Sequence, residues 1–309
     1  MDVFDPSLRL TIALCTYNGA PHLAAQLESY LVQTHTAWDL WVSDDGSDDS
    51  TRALLEAFGA RHGSAHTVRI LAGPRAGVAV NFLSLLCHAE FPDAPVALSD
   101  QDDVWLPEKL ALGLAQIHGT TPCLYGAQSI HTDIMLNHIG RSMGGGAPRF
   151  GNALVQNIVS GHSAILNSAA LSLVRAAGVP QDVPYHDWWI YQLVTGAGGK
   201  VVVRPEAVLL YRQHGRNATG SHQGLGALVA RVGQLFGGTY GRWIAANARA
   251  LSKVAPLLTP QTRATLAMLE KYPRSKGFAR ARNFAGNRIL RQGRVGNVML
   301  YLAILTGRV

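Results

Sequence analysis

The chain has 309 residues, of which 48% are apolar and 15% charged, and its formal net charge is +7 at pH 7. This length allows one large domain or two small ones. No stretch reaches the roughly 20 apolar residues of a spanning helix, and the N-terminus has neither the basic nor the apolar region of a signal peptide. Three cysteines without CxxC spacing argue against a zinc site or a disulfide framework. We therefore expect a cytoplasmic protein with reduced cysteines.

The first third of the chain alternates short apolar runs with segments of helical periodicity. Strands are expected at 9–17, 38–43, 68–71 and 96–98, and helices at 21–33, 51–58 and 78–88. Because strands and helices alternate, the pattern predicts an α/β fold with a mostly parallel sheet flanked by helices.

The pattern becomes irregular between residues 121 and 149 and then resumes. A strand-and-helix unit is expected at 152–175, a helix at 183–194, and strands at 200–204 and 207–211. From residue 225 onward the sequence predicts helices, and residues 271–296 read as basic amphipathic helices.

Charge is distributed unevenly along the chain. Residues 1–206 hold 11 Lys and Arg against 19 Asp and Glu, whereas residues 207–309 hold 16 against one acid, Glu270. Such a basic segment indicates a polyanionic partner: nucleic acid, an anionic lipid surface or a diphosphate-bearing substrate. No nucleic-acid recognition motif is present, which argues against the first of these.

Two acidic turns follow strands. Asp100, Asp102 and Asp103 come after the strand at 96–98, and Asp44 and Asp45 come after the strand at 38–43. Ligands bind at the carboxyl ends of strands in open α/β sheets, and closely spaced carboxylates suit Mg²⁺ or Mn²⁺. The alternative is that each turn is a solvated acidic loop before a helix, where negative charge is favoured by the helix dipole.

Three motifs together resemble family 2 glycosyltransferases, which are inverting enzymes with a GT-A fold. They are Thr16-Tyr17-Asn18-Gly19, Asp44-Asp45-Gly46-Ser47-Asp48-Asp49-Ser50-Thr51 and Ser99-Asp100-Gln101-Asp102-Asp103-Val104-Trp105. The resemblance runs from about residue 10 to about residue 219, and the string DQDDVWLPEKL is most similar to bacterial rhamnosyltransferase-like members.

The resemblance implies roles for the donor-side residues. Asp45 would accept a hydrogen bond from the pyrimidine N–H of the donor, with Thr16 and Asn18 on the same wall. Asp100 would lie at the ribose or the metal, and Asp102 would contact Mn²⁺ or Mg²⁺ directly.

Further roles follow from the resemblance in the second half of the chain. Asp187, between bulky aromatic residues, would be the general base, although family members usually carry an acid where His186 stands. His214 would be a further metal ligand, and Arg212 would contact the donor phosphates. The alternatives are a structural acid at a helix start and a surface histidine. Gly161 and His162 would line the acceptor side.

The expected function is transfer of a sugar, with rhamnose as one candidate. The donor would be dTDP- or UDP-linked, and the acceptor a hydroxyl of a glycan or lipid-linked glycan in bacterial surface polysaccharide synthesis. A non-catalytic sugar-nucleotide-binding protein and a sugar-nucleotide pyrophosphorylase are the alternatives.

We expect residues 1–224 to form the GT-A domain, with nucleotide bound by 1–120 and acceptor by 121–224. Residues 225–309 would form a basic helical extension that holds the enzyme peripherally at the anionic inner face of the plasma membrane.

Overall fold

The computed structural model describes residues 7–142, 146–213, 233, 237–272 and 277–309. The strands in these ranges are β1 (Leu10–Thr16), β2 (Trp38–Asp44), β3 (Val68–Ala72), β4 (Val96–Ser99), β5 (Val104–Trp105), β6 (Cys123–Thr132), β7 (His138–Arg141), β8 (Ile165–Leu166) and β9 (Lys200–Arg212). The helices are α1 (Ala20–Leu31), α2 (Thr51–His62), α3 (Val78–Leu86), α4 (Lys109–Leu114), α5 (Phe150–Ala153), α6 (Ser168–Ala177), α7 (His186–Gly196), α8 (Thr239–Lys253), α9 (Pro260–Lys271), α10 (Gly277–Gly286) and α11 (Arg294–Leu305).

The strands form one sheet in the order β3-β2-β1-β4-β8-β6-β9-β5, with β7 paired to β6. The first four strands are parallel, as the alternating sequence pattern predicts. The second half is mixed: β8 runs antiparallel between β4 and β6, β6 and β9 are parallel, and β5 is antiparallel to β9. The α/β class is confirmed, with antiparallel pairing concentrated in the second half of the sheet.

The segment that read as irregular contains the long strand β6 and its partner β7. Side chains on both faces of β6 are mostly buried. Its sequence therefore lacks the alternation of apolar and polar residues that marks a half-exposed strand. Its pairing with β9 stabilises it instead. The two strands expected at 200–204 and 207–211 are one strand, β9, because the register shifts around Pro205 and the chain then continues to pair.

Two hydrophobic clusters lie on the two faces of the sheet. Along β1, Leu10, Ile12 and Leu14 belong to one cluster, while Ala13 and Cys15 belong to the other, as the period of two requires. The second cluster also contains buried residues of α8 to α11. The helices after residue 237 therefore share a core with the first part of the chain.

Cys15 and Cys123 are buried and Cys87 is partly buried, and none of the three forms a disulfide. Trp105 is buried in the core. Among the residues described here, no helix is long and apolar enough to cross a membrane.

Candidate active site

Three loops meet at one edge of the sheet. Because β1, β2 and β4 are parallel neighbours, the loops that follow them lie side by side at the carboxyl ends of the strands. These loops carry the three motifs identified in the sequence. Binding sites of open α/β sheets occupy this edge, so the motifs converge where a ligand is expected.

Gln101 links the loop after β4 to the loop after β1. Its side-chain oxygen accepts a hydrogen bond from the Tyr17 backbone N–H at 2.9 Å, and its amide nitrogen donates to the Tyr17 carbonyl at 3.0 Å. The amide lies across Gly19, where a Cβ would stand 2.2 Å from Oε1 of Gln101. Glycine is therefore needed at position 19, because any larger residue would displace the Gln101 amide from Tyr17.

Asp44 links the loop after β2 to the loop after β1. This buried carboxylate accepts hydrogen bonds from the hydroxyls of Thr16, at 2.9 Å, and Ser47, at 2.5 Å. Ser47 in turn accepts from the backbone N–H of Asn18, which has a φ of +49°. Thr16 and Asn18 thus lie at this edge and help to hold the two loops together, and their contact with a nucleotide stays a prediction. No role of its own was predicted for Asp44 from the sequence.

Asp45 is half-buried at the same edge and organises the turn after β3. Its two carboxylate oxygens accept hydrogen bonds from the backbone N–H groups of Arg75, at 2.6 Å, and Gly77, at 3.0 Å. Gly73 allows this close approach, because a Cβ there would lie 2.9 Å from Cα of Asp45. Each carboxylate oxygen can accept a second bond, so the contact with a pyrimidine N–H stays a prediction.

The loop after β4 concentrates negative charge. Asp103 is fully buried, whereas 33% of the Asp100 side chain is exposed. Burial, together with the charges of Asp102 and Asp187, raises the pKa of Asp100 to about 7. Burial and its two neighbouring aspartates also raise the pKa of Asp103 well above its ordinary value. The carboxylates are crowded enough to favour binding of a proton or a cation.

Lys109, for which the sequence predicted no role, lies close to this loop. Its side chain is fully buried, its Nζ stands 3.5 Å from the ring centroid of Trp105, and it donates a hydrogen bond to the carbonyl of His162. Burial lowers its pKa, which the charges of Asp103 and Asp100 oppose. A single lysine can offset at most part of the negative charge of three aspartates. In sequence, a surface lysine near three aspartates would look the same.

Residues from the second half of the chain complete the site. His162, in the short turn Gly161–Ser163, stacks on Tyr211 and brings Nδ1 to 4.0 Å from Oδ2 of Asp100. The backbone N–H of Gly161 donates to Oδ2 of Asp187 at 2.9 Å. The structure therefore places His162 and Gly161 between the acidic loop and Asp187.

Asp187 stands in the first turn of α7, and its other oxygen accepts from the backbone N–H of Trp188 at 2.7 Å. The preceding His186 is buried, stacks on Phe82 with ring centroids 3.9 Å apart, and has a pKa lowered by burial. His186 therefore packs in the core. It does not supply the negative charge of the acid that family members usually carry at this position.

Asp100, Asp103 and His162 can offer ligand atoms that all lie within 4.8 Å of one another. A carboxylate-rich set fits Mn²⁺ or Mg²⁺, and a cation would offset the charge that raises the two aspartate pKa values. Asp102 is not in this group, but its charge acts on both aspartates. His214 lies outside the described residues. Metal binding by Asp102 and His214 stays a prediction.

Arg212, at the end of β9, is buried and is hydrogen-bonded to the backbone of the acidic loop. Its Nε donates to the backbone carbonyl of Asp102 at 3.2 Å, and its Nη1 donates to the carbonyl of Ile134. A guanidinium offers five N–H donors, so its expected contact with donor phosphates is compatible with these bonds and stays a prediction.

The sequence profile described as glycosyl transferase family 2 matches residues 11–168, which include all three motif loops and the turn at Gly161–Ser163. The chain belongs to glycosyl transferase family 2. The family resemblance inferred from the motifs is thereby confirmed, and the family match argues against a pyrophosphorylase.

Two curated bacterial transferases are similar to this family 2 glycosyltransferase. It is 22% identical over 247 residues to the dTDP-rhamnosyl transferase RfbG of Shigella flexneri, covering 77% of this chain and 84% of the relative. It is 29% identical over 109 residues to the UDP-Glc:alpha-D-GlcNAc-diphosphoundecaprenol beta-1,3-glucosyltransferase WfgD of Escherichia coli, covering 35% and 40%.

Solved structures share the fold of this glycosyltransferase. TarS 1–349 of S. aureus superposes with a TM-score of 0.54 at 16% identity, over 91% of this chain and 89% of that one. The mannosyltransferase PcManGT of Pyrobaculum calidifontis, in complex with GDP-Man and Mn²⁺, gives 0.54 at 17% identity, over 99% and 89%. The GT-A fold expected from the motifs is confirmed.

Proposed function

We propose that this glycosyltransferase transfers a sugar from a dTDP- or UDP-linked donor to a hydroxyl of a glycan or lipid-linked acceptor, with inversion at the anomeric carbon. The observation that carries the proposal is the convergence of the acidic loop and Asp187 on either side of the turn Gly161–Ser163. A metal-type carboxylate cluster and a separate carboxylate can serve the two needs of a single displacement, which are stabilisation of the leaving group and a general base.

Asp187 is the general base in this proposal. The Gly161 N–H and the Trp188 N–H hold its two oxygens, which fixes the orientation of the carboxylate. The acceptor hydroxyl gives its proton to Asp187 while its oxygen attacks the anomeric carbon. The bond from that carbon to the diphosphate oxygen breaks, and the electron pair leaves with the nucleoside diphosphate.

Asp100, Asp103 and His162 have the geometry to hold a divalent cation, and the family resemblance adds Asp102. When bound, Mn²⁺ or Mg²⁺ supplies positive charge that stabilises the departing diphosphate. PcManGT in complex with GDP-Man and Mn²⁺ supports this proposal at the level of the fold.

Rhamnose is the sugar that the similarity to RfbG favours, and dTDP is then the nucleotide. A UDP-linked donor is the alternative, because TarS, which shares 14% identity with this chain, has been solved in complex with UDP-GlcNAc. WfgD is named for a diphosphoundecaprenol-linked acceptor, which supports a lipid carrier here. Such an acceptor would place the enzyme peripherally at the inner face of a bacterial plasma membrane.

The proposal is tested with dTDP-rhamnose, UDP-glucose, UDP-GlcNAc and GDP-mannose, each with and without Mn²⁺. A donor that binds the folded state raises the melting temperature, and we expect the largest rise with dTDP-rhamnose plus Mn²⁺. Transfer of the same sugar to an undecaprenyl-diphosphate-linked glycan then measures catalysis. Donor binding without transfer, in wild type and Asp187→Asn alike, would instead indicate the non-catalytic sugar-nucleotide-binding protein.

A further inference from the structure

Helix α11 is apolar on two opposite faces. Leu300, Ala303 and Ile304 are fully buried against the core. The opposite face is apolar as well but exposed, with Val295 76%, Val298 59%, Leu302 45% and Leu305 51% exposed. Their spacing of three, four and three residues places them in one line along the helix. We call these four residues the apolar stripe.

Phe278 of α10 extends this surface. The N-terminus of α10 lies against the C-terminus of α11, because a Cβ on Gly277 would stand 2.7 Å from the carbonyl oxygen of Ile304 and 2.8 Å from that of Leu305. Phe278 follows directly and is 81% exposed. Contiguous exposed apolar surfaces mark interaction sites, whereas apolar residues exposed singly are ordinary.

The charged side chains of the segment that carries the apolar stripe are all positive. Residues 271–309 contain nine Lys and Arg and no acid. Two of these arginines are used inside the fold: Arg280 donates to the Leu269 carbonyl, and Arg291 donates to the Val155 carbonyl. Several others are exposed, namely Lys271, Arg282, Arg288, Arg294 and Arg308. The surface is therefore amphipathic and cationic.

We propose that the apolar stripe and Phe278 dock onto an anionic lipid bilayer, with α11 lying along the surface and the exposed arginines contacting the headgroups. At 12 residues α11 is about 18 Å long, too short to cross a bilayer of about 30 Å. Pairing with a second copy would bring two cationic surfaces together, whereas an anionic bilayer complements them. Docking to a bilayer agrees with the proposed lipid-linked acceptor but does not depend on it, because it follows from the apolar stripe, Phe278 and the exposed arginines.

The test uses the full chain with vesicles of phosphatidylcholine, with and without phosphatidylglycerol, and adds no donor or acceptor. We expect sedimentation with the anionic vesicles and release at high salt, because salt screens surface charge. V298E/L302E should weaken this partitioning by about tenfold or more. L31E/V32E is the matched control, since it adds the same charge at two exposed apolar positions of α1 and its C-cap. It should bind like wild type.

Each other outcome overturns the proposal. Unchanged binding of V298E/L302E would show that another surface binds the vesicles. Equal binding to both vesicle types would exclude the electrostatic part. A dimer in sedimentation velocity that V298E/L302E dissociates would make the apolar stripe a self-association surface. Because vesicle binding is measured without donor, these failures are distinct from a failure of the proposed sugar transfer.

Discussion

The crowding of carboxyl groups in the loop after β4 determines the expected effect of single substitutions at the site. Asp100, Asp102 and Asp103 place three carboxyl groups close to one buried lysine, Lys109. Asp187 adds a further negative charge, since it contributes to the raised pKa of Asp100. Without a cation the loop therefore takes up protons or retains excess negative charge, and substitutions there change chemistry more than packing.

Asp102→Asn should nearly abolish sugar transfer while leaving the melting temperature within a few degrees of wild type. The Asp102 side chain is part-exposed, so it contributes little to packing. Asp93→Asn is the control, because it removes an exposed carboxylate elsewhere on the surface. Chelation by EDTA should have the same effect on the wild-type enzyme, and added Mn²⁺ should restore activity. Full transfer in EDTA would contradict metal dependence.

Asp187→Asn should reduce turnover by roughly 10²–10⁴-fold, the usual contribution of a general base. Asparagine keeps the size of the side chain and an oxygen that can accept the Gly161 N–H. Donor affinity, measured by calorimetry with the nucleotide sugar, should change little. A loss of donor affinity as large as the loss of turnover would assign Asp187 to the donor site instead.

The raised pKa of Asp100 predicts how the metal-free protein responds to pH. Folding raises this pKa from its ordinary value of 3.8 to about 7, so the folded state holds a proton that the unfolded state releases. The contribution of Asp100 to the free energy of unfolding is therefore greatest below about pH 4 and declines as pH rises to about 7.

In EDTA, the melting temperature of wild type should fall relative to that of Asp100→Asn as pH rises from about 4 to about 7. Saturating Mn²⁺ should raise the melting temperature of wild type more at pH 8 than at pH 5, because the cation binds the deprotonated carboxylates. Parallel curves for wild type and Asp100→Asn in EDTA would contradict the assignment.

At the scale of elements, the site depends on links between loops rather than on the strands themselves. Gln101 joins the loops after β4 and β1 across Gly19, and Asp44 joins the loops after β2 and β1. Arg212 attaches the acidic loop to the end of β9. A loop held at several points is preorganised for its ligand, so breaking one link should cost affinity before it costs stability.

Gly19→Ala should weaken nucleotide-sugar binding severalfold and leave the melting temperature nearly unchanged. The added Cβ meets Oε1 of Gln101, the end of a flexible side chain that can move aside. Gln101→Ala should weaken binding similarly. If both act by breaking the same link, the double variant should bind no worse than either single variant. Additive losses would show that the two positions act separately.

The sequence predicted these elements unevenly, and the reasons are physical. Strands β1, β2 and β4 were confirmed because each is a short apolar run that ends in a polar motif. The strand β6 was missed because burial on both faces removed its alternation. Lys109 was missed because burial of a lysine depends on the tertiary partners Trp105 and His162, which local sequence does not specify.

The loop composition identified the acidic cluster, but not the relation of its members to the second half of the chain. His162 was expected on the acceptor side, and the structure brings it to 4.0 Å from Asp100. This contact follows from β8, which lies antiparallel between β4 and β6. The turn Gly161–Ser163 directly precedes β8 and therefore lies next to the acidic loop that follows β4. Non-local pairing of a two-residue strand leaves little signal in sequence.

At the scale of the whole molecule, the basic C-terminal helices have two opposite faces with different environments. Their inner side belongs to the core: Phe284, Leu300 and Ile304 are fully buried in the same cluster as Trp189 of α7. The ring of Trp188 in α7 stacks on Tyr240 of α8, with ring centroids 6.1 Å apart, so α7, and with it Asp187, lies against the first of the C-terminal helices. A chain that ends at residue 224 would expose this cluster, so we expect it to lose cooperative unfolding and donor binding together.

Helix α10 allows a sharper version of this prediction, because it carries one phenylalanine on each side. Phe284 is fully buried and Phe278 is 81% exposed. Phe284→Ala should lower the free energy of unfolding by about 3–5 kcal/mol, the usual cost of removing a buried aromatic ring. Phe278→Ala should change it by less than about 0.5 kcal/mol, as exposed substitutions do. Urea denaturation of both variants without lipid measures the difference, and equal effects would contradict a shared core.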